Sequence, residues 1–322
     1  MASYASIVDL IGNTPIIEVS ELSPNQDVKI YAKLEGQNPA GSVKDRIAKA
    51  MILSAEREGK LTSGSVILEP SSGNTGIALA MISSIRGYHL KIVLPDNVSI
   101  ERRQLLEVWG AEIISSPGSE GSNGAVRRAQ QLAEENPDWV FLYQYGNEAN
   151  PEIHYTTTGP EIFQDVPDIS HFIAGLGTSG TLMGVGRFLK EQNPNIQILA
   201  VEPPAGENVE GLRSLEDGFI PPVFENWNGM NLLDGKRIIR PIESLECTRK
   251  LAQMSGIFAG ISSGAALAGA LRVAEQIEQG SIVFIVCDGG WKYLSTEAWT
   301  KPLDEVADSI NRIIYFLSLI HI

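Results

Sequence analysis

Asn38-Pro39-Ala40-Gly41-Ser42-Val43-Lys44-Asp45-Arg46 joins an apolar strand to an amphipathic helix and sets a lysine at the junction. Asn-Pro and Ala-Gly signal a turn. Ser42 suits the N-cap of the periodic run Ile47, Met51, Leu53, since its hydroxyl can accept an orphan N–H of the first turn. Lys44 then belongs to that first turn, where the helix dipole disfavours a cation. With Arg46 two residues on, its pKa is expected to fall, leaving more free amine at neutral pH. A free amine is what condensation with an aldehyde requires. Taken by itself, a solvated lysine at a helix start is the plainer reading, and the rest of the chain decides against it.

Outward from this turn, the spacing predicts a strand over 28–34 and a helix over 45–58 that ends at Gly59, a left-handed stop. Strands over 66–68, 90–94, 111–115 and 139–143 then alternate with helices over 75–86, 100–109 and 124–135. A polar stretch over 146–158 breaks the rhythm and reads as a domain crossing. It resumes with a strand over 171–174, a helix over 181–192 and a strand over 196–201. Residues 203–235 are irregular, and so long a loop in a compact domain is usually functional. A strand over 237–242, helices over 245–255 and 264–279, and a strand over 281–287 complete the pattern. Strands rich in Val, Ile and Leu alternating with helices give an α/β class with mainly parallel sheets covered on both faces. The chain reads as two halves, 1–150 and 151–308, with an abruptly apolar tail over 309–322 that is too short to span a bilayer and is read as non-native sequence.

The 322 residues suffice for two cores, and 43% hydrophobic with 20% charged residues is the composition of a globular protein. A formal charge of −14 argues against nucleic acid as a partner. It also means that an anionic substrate needs its own local cations or backbone N–H groups. Cys247 and Cys287 offer neither a disulfide framework nor metal spacing, the N-terminus has no signal peptide, and a cytoplasmic protein is expected.

Ligands in open α/β sheets sit beyond the carboxyl ends of strands, and the loops there are unusual. Glu69-Pro70-Ser71-Ser72-Gly73-Asn74-Thr75-Gly76 offers hydroxyls, an amide and N–H groups at a helix start, a nest for a carboxylate or phosphate. Gly175-Leu176-Gly177-Thr178-Ser179-Gly180-Thr181 matches G-x-G-x-x-G, and Glu202 follows at the end of the next strand. It reads equally as a dinucleotide turn or, from its three hydroxyls, as a cup for one terminal phosphate. Gly260-Ile261-Ser262-Ser263-Gly264 could point a hydroxyl at a ring nitrogen, and Gln144-Tyr145-Gly146-Asn147 adds a polar loop. The loop from Cys287 through Thr296 reads as a turn or an amphipathic cap. Together with Lys44, these loops supply what pyridoxal phosphate needs: an amine for its aldehyde, a phosphate cup, and groups for ring oxygen and ring nitrogen.

The ordered motifs N-P-A-G-S-V-K-D-R, E-P-S-S-G-N-T-G, G-L-G-T-S-G-T and G-I-S-S-G-A resemble those of the cysteine synthase family of fold-type II pyridoxal-phosphate enzymes, from Ile11 to Thr296. The resemblance implies two three-layer α/β/α domains like those of tryptophan synthase β, with the segment 11–36 crossing to the other domain and a smaller mobile part over 45–150. It implies a homodimer. Lys44 would be the lysine that forms the imine with the cofactor, and Asn74 would bind its ring hydroxyl oxygen. Gly177, Thr178, Ser179, Gly180 and Thr181 would hold the phosphate, and Ser262 would face the ring nitrogen. Ser71, Ser72, Thr75 and Gln144 would take the carboxylate of an amino-acid substrate, with Ser71 standing where many relatives carry Thr.

Within that family the chain is most similar to the branch of actinobacteria that uses O-phospho-L-serine and a thiocarboxylated sulfur-carrier protein. The stretches that carry this are 97–106, 142–147, 212–219 and Gly290-Trp291-Lys292-Tyr293-Leu294-Ser295-Thr296. By that resemblance Arg213 would bind the substrate phosphate, as a guanidinium fork suits. The nearest alternative is an O-acetylserine sulfhydrylase that uses sulfide. A nicotinamide-dependent dehydrogenase would explain G-L-G-T-S-G but leave Lys44 and S-S-G-N-T-G idle.

Overall fold

In a computed structural model that describes residues 3–303, 305 and 306, the chain builds two sheets. The apolar tail over 309–322 lies outside the described residues. In chain order the elements are β1 (Ile16–Glu18), β2 (Val28–Leu34), α1 (Lys44–Arg57), β3 (Val66–Pro70), α2 (Asn74–Arg86), β4 (His89–Pro95), α3 (Ile100–Val108), β5 (Glu112–Ser116), α4 (Gly121–Glu135) and β6 (Val140–Phe141). There follow α5 (Ala149–Ile153), a π-helical turn (His154–Thr158), α6 (Gly159–Asp165), β7 (Ile169–Gly175), α7 (Gly180–Gln192) and β8 (Gln197–Glu202). Two short helices, α8 (Pro222–Asn226) and α9 (Gly229–Leu232), punctuate the long loop before β9 (Gly235–Ile238), α10 (Pro241–Ser255), α11 (Ile261–Ala274) and β10 (Gly280–Val286).

The smaller sheet runs β5-β4-β3-β6, all parallel. The larger runs β1-β2-β10-β7-β8-β9 and is parallel except for β1. Parallel strands buried on both faces need continuous apolar runs. Ile282, Val283, Phe284 and Ile285 of β10 supply one, the even-numbered pair facing α10 and α11 and the odd-numbered pair facing α7. In the smaller sheet Ile67 and Ile92 face α1 and α2, while Leu68 and Val93 face Ala125, Ala129 and Leu132 of α4. Each sheet is therefore the middle of three layers, the α/β/α arrangement expected.

Local boundaries depart from the periodicity where backbone chemistry intervenes. The strand expected over 139–143 pairs only at Val140 and Phe141, because Tyr143 turns to φ +54°. Proline is favoured in a first helical turn, and Pro241 opens α10 there, so the strand expected to reach 242 ends at Ile238. The helix expected from 264 begins at Ile261, which puts Ser262 and Ser263 inside its first turn. The polar stretch over 146–158, read as a domain crossing, is largely helical, and its π turn bears on the site below.

Candidate active site

The carboxyl ends of β3, β7 and β10 converge on a cleft of about 510 Å³. Lys44, Ser71, Ser72, Asn74, Thr75, Gln144, Gly177, Thr178, Ser179, Thr181, Arg213 and Ser262 all line it. Of the residues expected there, only Gly180 stands back. A Cβ at Gly180 would lie 1.8 Å from Asn150 Oδ1, so the loop is pressed onto Asn150 at that point.

Lys44 opens α1, as its first-turn assignment requires. Ser42 does not cap the helix in the usual way. It accepts the Lys44 N–H at 3.2 Å, and its own hydroxyl meets Asp45 Oδ1 at 3.3 Å. No hydrogen bond or ion pair forms at Lys44 Nζ among the described residues, and its pKa lies below the ordinary lysine value. The cause differs from the expected one. Desolvation in the cleft lowers it, against the opposing pull of Cys287, Asp288 and Glu35. Arg46 is instead engaged in a buried ion cluster. Its guanidinium forks onto Glu35 (2.7 and 2.8 Å) and Glu161 (both 2.7 Å), and Lys33 adds a 2.8 Å pair to Glu161. Dryness rather than a neighbouring cation thus favours the free amine.

The loop after β3 is a donor surface. Ser71 Oγ accepts the N–H groups of Gly73 and Gly76, each at 3.1 Å, which leaves its own O–H to donate. Thr75 donates to Gln144 Oε1 at 2.7 Å, and Gln144 Nε2 donates to Pro70 O at 3.0 Å with its second N–H left over. Asn74 is held at both ends: Oδ1 accepts from Lys292 Nζ at 2.8 Å, and Nδ2 donates to Asp288 Oδ2 at 2.6 Å. The amide's other N–H is the one available to a ligand.

The loop after β7 is the phosphate-sized cup. The N-cap Ser179 makes no side-chain cap bond to α7, and among the described residues the side-chain acceptor in its first turn is Thr178 Oγ1, which takes the Gly180 N–H at a long 3.5 Å. Ser179 at the cap sits at φ +69°, unusual for a non-glycine. Thr178 accepts from Asn150 Nδ2 at 3.0 Å, and Thr181 Oγ1 lies 3.2 Å from His154 Nε2. An uncapped helix start lined by hydroxyls fits a phosphate. Glu202, by contrast, does not line the cleft. It is fully buried, accepting from Lys236 Nζ at 2.5 Å and from Leu215 N at 3.1 Å. The acid that a dinucleotide ribose would need is therefore spent elsewhere.

Two features close the site. Ser262 brings a neutral hydroxyl, which lies against the Cys287 thiol, and burial pushes that thiol up to about 11. Arg213 sits in the cleft wall with its guanidinium 4.7 Å from the rings of both Tyr145 and Phe219, donating to Asn123 Oδ1 (2.6 Å) and Tyr145 Oη (3.1 Å). No carboxylate pairs with it among the described residues, so its charge is unspent. Across the cleft, Arg102 donates to Ser72 O at 2.9 Å and pairs with Glu210 at 3.0 Å, tying α3 to the long loop.

Sequence reasoning missed Asp288, Lys292, His154 and Arg102. The first two belong to a loop whose turn residues masked a wholly buried lysine, 0% exposed, that reaches Ala40 O at 2.9 Å as well as Asn74. The donor set as a whole fits pyridoxal phosphate: an amine of lowered pKa, an anion cup, an amide and a neutral hydroxyl around one dry cleft.

Comparison with known proteins agrees. The pattern of the family described as pyridoxal-phosphate dependent enzymes matches residues 7–288. Cysteine synthase B of Escherichia coli is 42% identical over 293 residues, spanning 91% of this chain and 95% of that protein. Among solved structures, an O-ureido-L-serine synthase superposes with a TM-score of 0.86 at 38% identity, over 92% of this chain and 96% of its own. An O-acetylserine dependent cystathionine β-synthase from Helicobacter pylori gives a TM-score of 0.83 at 38% identity, over 92% and 98%.

Proposed function

The chain belongs to the family of pyridoxal-phosphate dependent enzymes, and from that premise we propose that it is a cysteine synthase replacing a leaving group on Cβ of an activated L-serine by sulfur. Cysteine synthesis is the activity for which its relatives at 42% identity are named. When bound, the cofactor supplies the electron sink that makes the substrate Cα–H acidic. Lys44 anchors it and, with its pKa lowered in the dry cleft, takes the Cα proton at Nζ. Gly177, Thr178, Ser179, Gly180 and Thr181 hold its phosphate. Asn74, set by Lys292 and Asp288, faces the ring hydroxyl side, and Ser262 meets the ring nitrogen with a hydroxyl that does not force protonation. Ser71, Ser72, Thr75 and Gln144 take the substrate carboxylate. The segment carrying the four-stranded sheet closes over the cleft to keep water out, within a division of the chain at about residue 150 into two domains and a homodimeric assembly.

For the leaving group the reading is O-phospho-L-serine, with sulfur delivered as a carrier-protein thiocarboxylate or as sulfide. The observation behind it is Arg213, a cation with no carboxylate partner among the described residues, in the wall of the cleft of a protein with net charge −14. A doubly charged phosphate needs such a fork. Arg213→Ala is expected to cost about 1.5–3 kcal/mol with O-phosphoserine, or about 10- to 150-fold in kcat/KM, and far less with O-acetylserine. O-acetylserine with sulfide accounts for the comparisons at least as well, since the H. pylori relative is named for that ester. Equal losses with both esters would establish that second reading and remove phosphoserine.

A further inference from the structure

His154 is 1% exposed in the interior, and both its ring nitrogens are engaged: Nδ1 lies 2.9 Å from Thr158 Oγ1 and Nε2 lies 3.2 Å from Thr181 Oγ1. It opens the π-helical turn His154–Thr158, the kind of local insertion that collects at functional sites. The turn is packed hard onto α7. A Cβ at Gly184, one turn beyond Thr181, would meet Pro151 O at 2.1 Å and His154 Cβ at 2.7 Å. That close approach is what brings the imidazole against Thr181 on the wall of the cleft.

The direction of these bonds follows from counting hydrogens. Thr158 is fully buried, and the histidine nitrogen is the only partner its hydroxyl has among the described residues. A buried O–H needs an acceptor, so Thr158 donates to Nδ1, which must be bare. The ring is neutral, because burial first and then the nearby Arg46 guanidinium oppose protonation. The proton therefore sits on Nε2, and Nε2–H donates to Thr181 Oγ1. In the opposite tautomer the Thr158 hydrogen would have no acceptor, and the Thr181 hydrogen would be spent on Nε2.

We propose that His154 is a positioning residue that fixes Thr181 as a hydrogen-bond donor to the cofactor phosphate. This inference rests on the reading of Gly177 to Thr181 as the phosphate cup. A phosphate only accepts, so a threonine whose hydrogen were turned toward histidine would present lone pairs to an anion. The chain Thr158 O–H to Nδ1, and Nε2–H to Thr181, leaves the Thr181 hydrogen free for the ligand and polarises that hydroxyl in the donating sense.

Two measurements on the holoenzyme test it. In protein labelled with 15N-histidine, and with the resonance assigned by its loss in His154→Gln, His154 is expected to show a protonated Nε2 and a bare Nδ1 that do not change through the range where an ordinary histidine titrates. A protonated Nδ1 overturns the proposal. Release of pyridoxal phosphate on dilution, with the 31P resonance of the bound phosphate, is then compared in Thr181→Val, His154→Phe, the double variant and His154→Gln. Thr181→Val and His154→Phe are each expected to weaken retention about tenfold or more, the double variant no further than Thr181→Val alone. Gln, whose amide N–H can stand in for Nε2–H, is expected to restore most of the loss. Additive losses, or a loss in His154→Gln as large as that in His154→Phe, mean that the imidazole only fills space. If Thr181→Val leaves both retention and the 31P resonance unchanged, the phosphate cup itself is misread, and the proposal falls with it.

Discussion

Glu69→Gln isolates the most perturbed acid near the site. Glu69 closes β3 in full burial; its Oε1 accepts the Gln144 N–H at 3.1 Å, and its Oε2 has no partner among the described residues. Burial lifts its pKa from 4.5 to about 8, with the N–H groups of Gln144 and Tyr143 offsetting only part of the rise. That difference amounts to about 5 kcal/mol of preference for the neutral acid in the folded state. Because the folded value is the raised one, this contribution is present in full below the unfolded pKa of about 4.5 and is lost as pH climbs to about 8. Glutamine keeps the acceptor for Gln144 and is neutral at every pH. At about pH 5 the variant should lie within about 1–2 kcal/mol of the parent, the cost of placing an amide where a carboxyl was. Above about pH 8 it should be the more stable protein by a few kcal/mol. Denaturant midpoints of both proteins along a pH series give the answer, since every other titration cancels in the difference. Parallel stability curves for the two proteins would refute the argument that Glu69 is folded as the neutral acid.

Three further outcomes follow from the geometry. Arg46→Met strands Glu35, which is fully buried, and Glu161 beside Lys33, and the lost pairing should cost about 3–5 kcal/mol of stability, read by denaturant unfolding. Gly180→Ala drives a methyl group into Asn150, which bonds Gln144 O at 2.8 Å and Thr178 at 3.0 Å, so cofactor retention should fall at least about tenfold while the fold survives in circular dichroism. Lys292→Met removes the donor that sets Asn74 Oδ1, and the absorption band of the bound cofactor should shift with a loss in kcat larger than that in KM.

The α/β class was legible because Val, Ile and Leu runs such as Ile282 to Ile285 leave few other solutions for a buried strand. Motifs at strand ends likewise marked Lys44, the Ser71 to Thr75 loop and Thr178 to Thr181, because ligand chemistry in such folds falls there. What stayed hidden depends on pairings distant in sequence. Nothing local to Arg46 announces Glu161, 115 positions away, so the local charge was assigned the effect that desolvation actually has. Lys292 sits in a Gly-Gly-Trp turn whose composition suggests the surface, yet it is anchored by Asn74, 218 positions back. His154 fell in a stretch read as a crossing, since a π turn has no periodicity to detect. Its one visible trace was the Thr156-Thr157-Thr158 run that follows it.

Everything in the site turns on the unpaired amine of Lys44. Borohydride treatment of the holoenzyme followed by peptide mass analysis measures it directly. The reduced pyridoxyl group is predicted on the peptide bearing Lys44, and on no other lysine, Lys292 included. A label on Lys292, or a protein that keeps full β-replacement activity as Lys44→Ala, would contradict the account.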